Sequence, residues 1–176
     1  YGDWSSDVCS SDLSPGQGGV GGGISARGGS LTVIGCTFIG NRAHLGGGIY
    51  INGAQVALTN TTITANEVTA GPDSAGAGIY NYSTLRLQSC TVASNLVTSG
   101  SGFGGGIHNL GIALPHLRNT IVAGNSAPTG RDLNGAFVSD GYNLIGTNSA
   151  ATGFTNGVNN DLVGTNARLG ALQDND

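Results

Sequence analysis

Four times in this chain a triplet with glycine at both ends is followed by isoleucine: Gly21-Gly22-Gly23-Ile24, Gly46-Gly47-Gly48-Ile49, Gly76-Ala77-Gly78-Ile79 and Gly104-Gly105-Gly106-Ile107. Each unit closes on an asparagine: Asn41, Asn66, Asn95 and Asn125. From the Ile to the Asn the offsets are 17, 17, 16 and 18 residues; from that Asn to the next Ile they are 8, 13 and 12. One arc of the repeat is therefore nearly constant, and length variation is confined to the other. Self-similarity at such a period marks a solenoid, in which each unit buries its apolar face only by stacking on its neighbours.

The constant arc reads as strands. Leu31-Thr32-Val33, Val56–Thr59, Leu85-Arg86-Leu87 and Ile112-Ala113-Leu114 take one place in it, and Thr37-Phe38-Ile39, Thr62-Ile63-Thr64, Thr91-Val92-Ala93 and Ile121-Val122-Ala123 take the next. These runs are short and β-branched, with no helical period. A coil of about 25–30 residues with three short strands predicts an all-β, single-stranded parallel β-helix, with rungs about 4.8 Å apart. Right-handed winding is expected from the general preference of parallel crossovers. Four regular coils should span residues 14–125, with less regular, truncated rungs over 126–176.

Stacking explains the residue choices. Ile24, Ile49, Ile79 and Ile107 should form one inward column, and Phe38, Ile63, Val92 and Val122 another. Glycine at one corner admits positive φ and close backbone approach. Asn41, Asn66, Asn95 and Asn125 should stack at the opposite corner, where asparagine tolerates left-handed backbone and its amides can bond along the column. Pro115 suggests a bulge or an edge in the fourth unit.

One segment stands apart. Asp3-Trp4-Ser5-Ser6-Asp7-Val8-Cys9-Ser10-Ser11-Asp12-Leu13 reads codon for codon as a common short-read sequencing adapter. Residues 1–13 are accordingly expected to be an artefact outside the fold. The chain is then a metagenomic-type fragment lacking its signal peptide and anchor. Setting the segment aside leaves seven acids against six arginines, so no strong field steers the chain to nucleic acid. No apolar stretch is long enough to span a bilayer.

The glycine and asparagine elements resemble the repeats of the polymorphic outer membrane protein family, which pair Gly-Gly-Ala-Ile with Phe-x-x-Asn. Phe38-Ile39-Gly40-Asn41 matches the second motif outright; Ile63–Asn66, Val92–Asn95 and Val122–Asn125 match with an aliphatic residue in place of Phe. The later segments Asn119–Asn125, Gly141-Tyr142-Asn143-Leu144-Ile145-Gly146 and Gly153–Val158 are similar to bacterial choice-of-anchor Q proteins. That resemblance covers residues 18–176. It implies a pectin lyase-like β-helix on a secreted or cell-surface protein, adhesin-like or structural, whose C-terminal anchor lies beyond Asp176.

The rival class is a carbohydrate-active enzyme of the same fold, with its site outside this fragment. Glycoside hydrolysis needs two carboxyls about 5–9.5 Å apart. The acids left are Glu67, Asp73, Asp132, Asp140, Asp161, Asp174 and Asp176, and no two share a column of the regular units. The place of Glu67 is held elsewhere by Arg42, Leu96 and Ser126. No acid cluster has calcium-ligand spacing, and His44 and His116 have no partner at metal-ligand spacing. No catalytic residue, metal or cofactor is therefore expected. Cys36 and Cys90 share a column with Thr61 between them. At about 9.6 Å they are too far apart for a disulfide. Tyr50, Tyr80 and His108 follow the column isoleucines, so they should point outward as an aromatic stripe about 10 Å long. Such a stripe can stack sugar rings, and it is equally an ordinary cross-strand set. The unequal arcs, 67–76 and 96–103, should emerge together as loops, a common binding face. The expected function is non-catalytic binding of polysaccharide or a host or cell-surface protein on the loop side, by a monomer.

Overall fold

The computed structural model describes residues 3–5, 8–9, 19–69, 71 and 73–170. The chain winds as a parallel β-solenoid of about five turns. The second coil shows the plan: Ile49–Asn52, Gln55–Thr59, Thr62–Thr64 and Glu67–Val68 follow one another around the turn. Each strand pairs in parallel with its equivalents in the coils before and after. Four sheets result, not three. The fourth is made of two-residue strands, Arg42–Ala43, Glu67–Val68 and Leu96–Val97, too short to carry any period in the sequence.

The columns follow the repeat. Ile24, Ile49, Ile79 and Ile107 are in register, and Leu133 extends them. Phe38, Ile63, Val92 and Val122 are likewise aligned, followed by Ile145. With Val33, Leu58, Leu87 and Leu117 they form one continuous apolar interior. Burying each such side chain stabilises by roughly 1.5–3 kcal/mol, offset by the entropy of ordering it.

The fourth coil departs from expectation. Ile112-Ala113-Leu114 is not the strand that continues Leu85-Arg86-Leu87. His116–Arg118 is, with Arg86 opposite His116 and Leu87 opposite Leu117. Ile112 is fully exposed and Leu117 fully buried. The turn from Leu110 to Pro115 takes up the extra length, and Pro115 sits just before the strand, where its missing N–H costs nothing. Leu117→Ala should therefore destabilise by about 2–5 kcal/mol and Ile112→Ala by under about 0.5 kcal/mol. Urea titrations of the two variants give the comparison; equal losses would sink this register.

Asp3–Ser5 and Val8–Cys9 lie parallel on Ser30–Ile34 and Thr37–Ile39. This corrects the expectation that residues 1–13 take no part in the stack; the rest of that segment lies outside the described residues. An open parallel edge presents unpaired N–H and C=O groups to any extended chain, so the pairing asks nothing of the segment's side chains.

The left-handed backbone is not at the stacked asparagines. It belongs to the residue before each: Gly40, Ala65, Ser94 and Gly124 have φ of 69°, 53°, 57° and 73°. The preceding corner repeats the device, with Gly35, Asn60, Ser89 and Asn119 in the left-handed region just before Cys36, Thr61, Cys90 and Thr120. One left-handed residue bends the chain, and the next turns its side chain into the stack.

Candidate functional site

The corner after the third strand is an amide ladder. The Asn41 side-chain NH2 donates to Asn66 Oδ1 at 2.9 Å, Asn66 to Asn95 at 2.9 Å, and Asn95 to Asn125 at 2.8 Å. The same oxygens accept the backbone N–H of the preceding ladder residue at 3.0 Å. Asn66, Asn95 and Asn125 also donate their second N–H to the carbonyls of Phe38, Ile63 and Val92. All four asparagines are buried.

The ladder has a direction: donors point toward later coils. It ends on Asp132, whose Oδ1 accepts both the backbone and the side-chain N–H of Asn125 at 2.9 Å. An ionised carboxylate only accepts, so it closes the chain without leaving an amide donor unsatisfied. A second column ends the same way: Asn143 donates its backbone and side-chain N–H to Asp161 Oδ1 at 2.9 and 3.1 Å. Both carboxylates are buried and belong to the architecture. A third pairing, Asn81 to Asn109 at 2.8 Å, lies at the end of the first sheet.

The other acids are dispersed. Glu67 pairs with Arg42 on the neighbouring rung, and Asp140 pairs with His116 Nδ1 at 3.0 Å on the surface of the second sheet. The columns through Glu67 run Arg42, Glu67, Leu96, Ser126. His44 meets Ser74 Oγ at 3.5 Å. Among the described residues no three His, Cys, Asp or Glu side chains gather as a metal site. Cys36 and Cys90 are buried thiols outside any disulfide, and burial pushes the Cys90 thiol up, away from reactive thiolate.

Tyr50, Tyr80 and His108 form a stacked column outside the main core. Tyr50 and Tyr80 lie 5.3 Å apart at 13°, and Tyr80 and His108 5.4 Å apart. Phe103 stacks on His108 at 5.9 Å, and the Arg27 guanidinium sits 5.6 Å over the Tyr50 ring. The ring faces are turned to one another along the solenoid axis, so they are not free for a sugar. The variable loops cover them: Val20, Leu45, Ala75, Phe103 and Thr129 bridge in parallel as a further column. Tyr50 and Tyr80 expose only 9 % and His108 7 %. Burial pushes His108 down toward its neutral form, opposed by the hydrogen bond that its ring N–H donates to the Asn134 side chain. Burial, then the neighbouring Tyr50, pushes Tyr80 up.

Loops 67–76 and 96–103 thus lie on adjacent coils, with Leu96, Ser101, Phe103 and Asp73 exposed along them. Among the described residues no helix is long and apolar enough to cross a membrane. No family model, curated protein or solved structure matches the chain.

Proposed function

We propose that this chain is a non-catalytic, extended module of a secreted or surface-exposed protein, related in kind to the choice-of-anchor Q and polymorphic outer membrane repeats, and that it contacts polysaccharide or protein on its loop side. One observation supports this reading most. Four carboxylates among the described residues serve structure: Asp132 and Asp161 end buried ladders, Glu67 holds Arg42, and Asp140 holds His116. A glycosidase instead needs two carboxyls facing one cleft. Secretion and anchoring rest on the resemblance of the repeat motifs.

The test is an assay of the purified chain against a panel of acidic and neutral polysaccharides, with binding measured in parallel. No product should accumulate. Shortening loops 67–76 and 96–103 should weaken binding while the β-rich circular dichroism spectrum persists. Turnover that is lost in Glu67→Gln or Asp73→Asn would overturn the proposal.

A further inference from the structure

A cleft of about 440 Å3 lies between the ladder corner of the later coils and the extended tail that follows Leu162–Val163. Its walls carry Arg131, Asp132, Thr147, Thr165, Asn166 and Arg168. Arg131 and Arg168 are exposed, and neither forms an ion pair among the described residues. The other arginine beside an acid, Arg42, is held by Glu67. In a chain of formal net charge −4, two free guanidinium groups share one concave surface.

The cleft floor adds an acceptor. Asp132 spends Oδ1 on Asn125, and its Oδ2 lies over the α-carbon of Gly146, where a Cβ would come within 2.7 Å. The ladder holds this carboxylate in place. A ligand must therefore bring a negative charge for the arginines and hydroxyl donors for Asp132. Inorganic phosphate is small against the cleft and carries few hydroxyl donors. A sugar carboxylate satisfies both demands, since guanidinium pairs with carboxylate in a planar, two-bond geometry and the ring hydroxyls can donate.

We propose that this cleft binds the uronate residue of an acidic carbohydrate. The site is separate from the loop side and does not rest on that reading. Calorimetric titration of the full chain with digalacturonate, its methyl ester and inorganic phosphate tests it. Digalacturonate should bind, and the ester, which keeps the hydroxyls but lacks the charge, should bind about tenfold more weakly or not at all. Arg131→Gln and Arg168→Gln should each weaken digalacturonate by about tenfold without changing the thermal midpoint. Arg86→Gln, on the exposed face of the second sheet, should leave the affinity unchanged. Absence of binding at millimolar digalacturonate, equal binding of the ester or of phosphate, or wild-type affinity in both cleft variants would each overturn the proposal.

Discussion

Asn95→Ala is expected to destabilise the chain by about 2–6 kcal/mol, because it strands two buried N–H donors at roughly 1–3 kcal/mol each. Asn95 Oδ1 accepts the backbone N–H and one side-chain N–H of Asn66, and its own NH2 serves the carbonyl of Ile63. Alanine leaves both Asn66 donors without partners in a region closed to water, and takes one donor each from the Ile63 carbonyl and Asn125 Oδ1. Set against a typical domain stability of about 5–15 kcal/mol, that loss removes a large part of the total. Asn95→Asp keeps the acceptor but loses both donors, and it brings a negative charge against Asn125 Oδ1, so it should be no milder. Ser126→Ala, an exposed position one residue past the ladder, should shift stability by under about 0.5 kcal/mol. Urea unfolding of the three variants measures this, and a loss below about 1 kcal/mol in Asn95→Ala would show that the ladder is replaceable by water.

The stack was legible because its period is written in residues that only stacking explains. The Ile and Phe/Ile/Val columns align in the structure as the offsets require. Two features escaped for definite reasons. The fourth coil carries two strand-length candidates in succession, the apolar Ile112–Leu114 and the alternating His116–Arg118, and spacing alone does not say which is buried; Pro115 between them marks a break but not its side. The two-residue strands of the fourth sheet are shorter than one full alternation.

The ladder terminators were also invisible. Asp132 lies only seven residues past Asn125, and it reaches the ladder from a different corner of the next coil. Asn148 holds the sequence place where a fifth ladder residue would fall, yet its NH2 goes to the Phe154 carbonyl at 3.3 Å. A substitution of one column by another leaves no period to detect. The face of Tyr50, Tyr80 and His108 was readable from alternation, whereas their cover was not. It depends on loops of unequal length that nonetheless bridge at Leu45, Ala75 and Phe103. The cleft between Arg131 and Arg168 joins residues from separate, irregular stretches, so only the fold brings them together.

Gly78→Val is expected to prevent folding at ambient temperature, with a loss above about 4 kcal/mol. The objection is space, since the Gly78 φ is not in the left-handed region. A Cβ there would stand 2.5 Å from the Gly106 carbonyl oxygen, 3.0 Å from Val92 Cγ1 and 3.1 Å from Asn95 Nδ2. Relief by backbone movement is blocked on both sides. The Gly78 N–H donates to the Gly105 carbonyl, the Ile79 N–H to Gly106, and the Gly78 carbonyl accepts from Ile49. The valine would therefore break the rung above or push the Asn95 amide out of its ladder. The same column holds Gly23, Gly48 and Gly106, each facing the amide of its own ladder asparagine. It carries a side chain at Asp132, whose carboxylate itself takes the ladder place. Glycine column and asparagine ladder are thus one device: the missing Cβ makes room for the amide. Gly124→Ala supplies the contrast. Its φ is 73°, but nothing lies within 4 Å of a Cβ, and Ala65 and Ser94 already occupy equivalent places in the left-handed region. It should cost only about 1–2 kcal/mol. Expression, circular dichroism and thermal melts of the pair decide the matter: a folded Gly78→Val variant melting near the parent would show that the coils are not packed at backbone contact along this column.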